Sequence, residues 1–236
     1  MLTGTYALKQ SPKLGFPSLS GQTTTKIHDI FVNIDYYVYR AQLGRPMSNI
    51  PAFDADGLLP SGDYEVSFEE LRGSVLAVGP DDGRATWDSA WWLGLIDNLE
   101  ILAEQLWQVG IQEIYADGSF AEDKDHPNDI DGYFVCSLGA LKSGELVRRL
   151  NLLDPFKVWT WDPATRKPYL GYPKKQLPMW HRYRVELYPH VPDLGMGSGI
   201  RDRFGHELEF PSAFRQSRRD GKPRGIVKIK YGGSHD

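Results

Sequence analysis

Asp129 and Asp131 stand two residues apart at the start of Asp129-Ile130-Asp131-Gly132-Tyr133-Phe134-Val135-Cys136, a run that reads as a strand. Successive side chains of a strand alternate between faces. The two carboxylates therefore share one face, about 7 Å apart along the backbone, and Ile130 takes the other. Carboxylates converging on one point repel each other unless a cation sits between them, and hard oxygen ligands of this kind suit Mg²⁺ or Mn²⁺. Asp-x-Asp alone is weak evidence, because it recurs in ordinary acidic loops. Gly118-Ser119 precedes it, with nine residues between, and directly follows the strand-like run Ile111-Gln112-Glu113-Ile114-Tyr115-Ala116. A Gly-Ser pair after a strand permits a tight turn and exposes backbone donors that can receive a phosphate. The bland alternative is a polar β-turn followed by an acidic loop.

Positive charge gathers elsewhere. Between residues 215 and 230, seven basic side chains face one acid, so this stretch carries +6 in a chain of net charge −4, and the remainder carries −10. It is either a solvated basic hairpin or an arm that meets phosphate on a nucleotide or polynucleotide. Other candidates are weaker. Gly195-Met196-Gly197-Ser198-Gly199 lacks the Gly-Lys-Ser/Thr ending of a phosphate loop and no clear strand precedes it, so a flexible lid or linker is expected. The six histidines show no zinc spacing on a helix, and His126 is expected to be exposed. The single cysteine, Cys136, excludes a disulfide framework and a Cys-rich zinc site, and is expected in the core, facing away from the aspartates.

Several elements must position these residues. Ser67-Phe68-Glu69-Glu70 has the form of a capping box opening a helix. From Asp88 to Val109, Trp92, Leu95, Ile96, Leu99, Leu102, Ala103 and Leu106 recur at spacings of three and four, which predicts a helix with one apolar stripe and Gly110 as its C-terminal cap. The strands at 111–116 and 129–136 follow. A short helix is predicted from Ser143 to Leu153, a strand over Arg182–Tyr188, and a last strand over Gly225–Tyr231. This alternation predicts an α/β (α+β) chain, a small mixed sheet flanked by helices. Residues 1–46, rich in turn formers, are expected to be a peripheral extension, since Met47 opens a stretch that would itself serve as a start. Residues 47–236 form the main domain.

Hydrophobic residues make up 41% and charged residues 25% of the chain, which excludes wholesale disorder. No apolar run reaches the roughly 20 residues of a membrane span, and no secretory signal opens the chain, so a soluble cytoplasmic protein without a membrane partner is expected.

Gly118-Ser119-Phe120 followed by Pro127-Asn128-Asp129-Ile130-Asp131-Gly132 resembles the Gly-Ser…Asp-x-Asp motif of the nucleotidyltransferase superfamily, the polymerase-β-like fold. A closer similarity is to uncharacterised bacterial stand-alone members of that superfamily. It includes Phe53-Asp54-Ala55-Asp56-Gly57-Leu58-Leu59-Pro60-Ser61-Gly62, the Ser67 cap, Asp117-Gly118-Ser119-Phe120-Ala121-Glu122-Asp123-Lys124 and Arg224-Gly225-Ile226-Val227-Lys228-Ile229, and spans about residues 49–230. The resemblance implies a third carboxylate on a later strand. Glu186 is the candidate, sharing a strand face with Arg184, although many relatives carry Asp there. Asp129, Asp131 and Glu186 would then be the catalytic, metal-binding residues for Mg²⁺ or Mn²⁺. Gly118 and Ser119 would hold the β and γ phosphates of a nucleoside triphosphate, and Lys124 would offset phosphate charge or be solvated. Arg184, Arg218, Arg219, Lys222 and Arg224 are expected to rim the substrate cleft.

The resemblance implies transfer of a nucleoside monophosphate to an acceptor, whether RNA, protein or small molecule. Some stand-alone members serve in toxin–antitoxin or phage-defence systems. The alternative is a catalytically silent nucleotide- or RNA-binding module of the same fold. A metal-dependent glycosyltransferase, which uses a similar Asp-x-Asp pair, is disfavoured by the Gly-Ser turn.

Overall fold

The computed structural model describes residues 48–232 except 172, 173, 193, 196 and 203, and for Phe210 only the backbone. The expected extension over residues 1–46 lies outside the described residues.

A five-stranded mixed sheet carries the architecture. Its strands are β1 (Asp63–Val66), β2 (Ile114–Asp117), β3 (Ile130–Val135), β4 (Val185–His190) and, completing the sheet from the far end of the chain, β7 (Ile226–Ile229). Their order is β1-β7-β2-β3-β4. β1 pairs parallel with β7 and β3 with β4, while β2 runs antiparallel to both β7 and β3. The chain is therefore mixed α/β.

The helices follow from local chemistry. α1 (Phe68–Arg72) opens on the expected capping box: the Glu70 amide donates to Ser67 Oγ at 3.1 Å and the Ser67 amide to Glu70 Oε2 at 2.7 Å. A single turn, α2 (Val75–Val78), follows it. α3 (Ser89–Gln108) buries every member of the predicted stripe, Trp92 through Leu106, in the main core beside Ile114, Ile130, Phe134 and Leu187 from the sheet. It ends where Gly110, at φ +91°, gives its amide to Trp107 O while Ile111 gives its own to Leu106 O, the paired closure that only a left-handed residue allows. α4 (Leu138–Lys142) and α5 (Glu145–Leu153) follow β3. No helix among the described residues is long and apolar enough to cross a membrane.

One predicted element needs correction. The stretch 182–188 is not a single strand. α6 (Pro178–Tyr183) starts with proline at its first position, where the missing N–H costs nothing, and ends at Arg184 in the left-handed region, φ +54°. Only then does β4 begin. Arg184 therefore does not share a strand face with Glu186; its guanidinium lies over the rings of Trp180 at 3.8 Å and Tyr169 at 4.2 Å. The glycine-rich stretch at 195–199 likewise departs from a plain linker. Its second half opens β5 (Gly197–Arg201), which pairs antiparallel with β6 (Glu207–Glu209) ahead of α7 (Phe210–Phe214).

Candidate active site

The C-terminal end of β2 and the starts of β3, β4 and β7 meet at one edge of the sheet. An open cleft of about 910 Å³ lies there. Its lining brings together Gly118, Ser119, Lys124, Asp129, Asp131 and Glu186, residues up to 68 positions apart. Arg218, Arg219 and Arg224 join them, whereas Arg184 and Lys222 are not among the described lining residues.

Strand register sets the floor. Asp131 stands opposite Asp117 on β2 and opposite Glu186 on β4, so three carboxylates cross the sheet in a row. Directly opposed residues of paired strands share a face. Ile130 is fully buried on the other side. Gly118 has two reasons to be glycine. Its φ is +82°, and a Cβ there would lie 3.0 Å from both Cβ and Oδ2 of Asp131. The Gly118 turn and the acidic strand thus press against each other. Ser119 Oγ adds a long hydrogen bond to Asp129 O at 3.5 Å.

The three candidate ligands differ in how their charge is met. The Asp129 carboxylate accepts one hydrogen bond among the described residues, from Trp180 Nε1 at 2.7 Å, and burial raises its pKa. Asp131 receives no hydrogen bond to its carboxylate among the described residues. Burial, then the neighbouring Asp129 and Glu186, push it up to about 7, and Arg218 and Arg224 only partly oppose this. Glu186 is nearly fully buried and well supplied. The Leu177 amide donates to Oε1 at 2.8 Å, the Tyr188 hydroxyl donates to Oε2, and Arg166 lies 3.7 Å from Oε1. No group of three acidic, histidine or cysteine side chains among the described residues has ready metal-ligand geometry. Mg²⁺ characteristically takes one or two carboxylates and completes its shell with water and substrate phosphates. The unneutralised Asp129–Asp131 pair, all oxygen and facing an open cleft, fits that donor set.

The expected basic rim divides. Arg218 and Arg219 are exposed at the cleft. Arg224 lines the cleft but is only 4% exposed, and it donates to Asp117 Oδ2 at 3.0 Å, Glu122 Oε1 at 2.6 Å, Gly118 O at 3.0 Å and Phe214 O at 3.2 Å. Four donors of one guanidinium are spent on the protein, so Arg224 holds the Gly118 turn rather than a ligand. Lys222 is not among the described residues that line the cleft and pairs on the surface with Asp56 at 2.5 Å. Lys124 stands 3.0 Å from Glu122 at the cleft. His126, exposed as expected, bonds Asp88 at 2.9 Å and stacks on Trp91. Cys136 is buried in the main core.

Sequence reasoning missed Trp180, Arg166, Tyr188, Lys174 and Lys175. Only Tyr188 carried a usable signal, since it lies two residues beyond Glu186 on a strand and shares its face. Asp117 was also passed over, although the alternation that aligned Asp129 with Asp131 makes the last residue of β2 their cross-strand neighbour.

No curated protein and no solved structure matches the chain. The model of a family of unknown function, DUF6932, matches residues 51–230, a span that contains the whole sheet and the cleft, and the chain belongs to that family.

Proposed function

We propose that this protein is a Mg²⁺- or Mn²⁺-dependent nucleotidyltransferase with a polymerase-β-like core, moving a nucleoside monophosphate from a nucleoside triphosphate to an acceptor hydroxyl. One observation carries the reading. Asp131 is a carboxylate without a hydrogen-bond partner among the described residues, set beside Asp129 and against the Gly118–Ser119 turn in an open cleft. A bound divalent ion would neutralise charge on the entering and leaving oxygens. The chain's own residues do the rest. Asp129, steadied by Trp180, and Asp131 would hold the cation. The backbone of Gly118 and Ser119 receives phosphate oxygens, and Lys124, Arg218 and Arg219 offset their charge. The acceptor oxygen bonds to the α-phosphorus as that atom's bond to the bridging oxygen breaks. Pyrophosphate leaves with the electron pair, and the hydroxyl proton passes to water in the open cleft. Glu186 enters with both oxygens already engaged, so it supports the site rather than completing the cation shell.

The test is incubation with each labelled nucleoside triphosphate, Mg²⁺ and a whole-cell extract. Mg²⁺-dependent pyrophosphate release and label transfer, both lost in Asp129→Asn, support the reading; no release from any triphosphate sinks it. The engagement of Glu186 favours a second reading, a silent nucleotide-binding module. Metal-dependent nucleotide binding without pyrophosphate release would single it out.

A further inference from the structure

The cleft has a second wall. Residues 167–171 and 174–176 run as the two arms of a hairpin, joined by reciprocal 2.8 Å hydrogen bonds between the Lys167 and Gln176 backbones. Lys174 and Lys175 on this hairpin line the cleft and are exposed. Neither ammonium has an ion-pair or hydrogen-bond partner among the described residues.

The hairpin is anchored from below. Arg166 donates to Lys175 O at 3.1 Å and to the Tyr188 hydroxyl at 2.9 Å. Tyr188 donates to one oxygen of Glu186, and the other accepts from the Leu177 amide, the residue that joins the hairpin to α6. Glu186 thus ties the lysine hairpin to the start of β4. The Gly118 turn lies toward β2 and the hairpin toward β4, with Asp131 on β3 between them. Lys174 and Lys175 therefore line the side of the cleft across Asp131 from the Gly118 turn.

We infer that the Lys174–Lys175 hairpin binds the sugar–phosphate backbone of a single-stranded nucleic acid acceptor, and that Glu186 is the positioning residue that holds this hairpin. The identity as acceptor rests on the nucleotidyltransferase reading; the binding does not. Two adjacent lysines suit the regular anionic spacing of a strand. The same hairpin carries Tyr169, 39% exposed, with Arg184 stacked on its ring beside Trp180. Exposed aromatic rings beside phosphate-binding cations are how proteins take single strands without reading sequence. An acidic protein segment would use the lysines but offer nothing to stack.

The experiment is fluorescence anisotropy of labelled 12-nucleotide RNA and DNA single strands, across a salt series, with a polyglutamate peptide as competitor. Binding of a fluorescent ATP analogue with Mn²⁺ is measured alongside. Lys174→Glu/Lys175→Glu should weaken strand binding at least tenfold and flatten its salt slope by about 1.4, two phosphate contacts at about 0.7 each. Nucleotide binding should stay within about twofold. Glu186→Gln should weaken strand binding and leave the Mn²⁺ requirement of nucleotide binding in place, which a metal ligand could not do. Binding of RNA alone, or of both strands, supports the inference, RNA alone pointing to the ribose hydroxyls. Absence of strand binding, an unchanged slope in the double variant, or equal competition by polyglutamate overturns it. Lysine-dependent strand binding without any nucleotide binding would leave this surface standing and sink the proposed function.

Discussion

Asp117 and Asp131 face each other across β2 and β3, yet they meet opposite fates. Asp117 is fully buried, and the Arg224 guanidinium reaches it at 3.0 Å from just ahead of β7. Burial is the larger effect and pushes its pKa up to about 8, with Arg224 opposing the rise. Asp131 receives no such partner, and its nearest charged neighbours include two more acids. One residue type in one register makes a structural ion pair in the first case and an unmet anion in the second. The difference lies in what the tertiary fold delivers to each. A buried charge that the protein neutralises itself serves the fold, whereas one left facing a cleft waits for a ligand.

The strongest way to break this contrast is Arg224→Met. Removing one partner of a buried pair leaves an uncompensated charge, a loss of about 3–5 kcal/mol. Urea denaturation reads it, and a loss below about 1 kcal/mol would show that Asp117 needs no partner. Asp131→Asn should act in the opposite direction. Without metal near pH 8, it removes a charge that Asp129 and Glu186 oppose, and stability should rise by about 1–2 kcal/mol. Stabilisation by Mg²⁺ should vanish with it. A destabilised Asn variant would mean that Asp131 is held as Asp117 is.

The pH dependence sharpens the same point. Asp131 titrates near 7 in the fold, against an ordinary 3.8, so between those values the native state holds the extra proton. Its stabilising contribution is present at low pH and is lost as pH rises toward 7. Asp129 and Asp117 are displaced in the same direction and add to the loss. A divalent cation at the Asp129–Asp131 pair should reverse it, so Mg²⁺ should raise the melting temperature more near pH 8 than near pH 5.5. An equal rise at both would place the ion elsewhere. The smallest effect belongs to Lys222→Ala. Its pair with Asp56 is exposed on both sides, and its loss should leave the urea midpoint unchanged and nucleotide binding within about twofold. A larger change in binding would return Lys222 to the cleft.

Much of the frame was legible because it is local. The α3 stripe, its Gly110 stop, the Ser67 box and the runs that became β2, β3 and β7 all rest on spacing within a few residues. Three strands, β1, β5 and β6, escaped notice. β1 is four residues long and is stabilised by pairing with β7, some 160 positions later. The turn of helix ending at Arg184 was hidden because Tyr183, Val185 and Leu187 alternate as a strand would. A left-handed arginine cannot be read from side-chain polarity.

The cleft divides along the same line. Sequence alone determined that Gly118, Ser119, Asp129 and Asp131 belong together, because turn chemistry and strand parity act over a dozen residues. Only the tertiary structure decided which charges are already spent. Arg224 and Arg218 are six residues apart and chemically identical, and one is buried against Asp117 while the other is exposed at the cleft. Glu186 looked like a third ligand, yet Leu177, Tyr188 and Arg166 converge on it. Whether an ionised side chain is met by the protein depends on register and burial across the whole chain, and no local pattern encodes that sum.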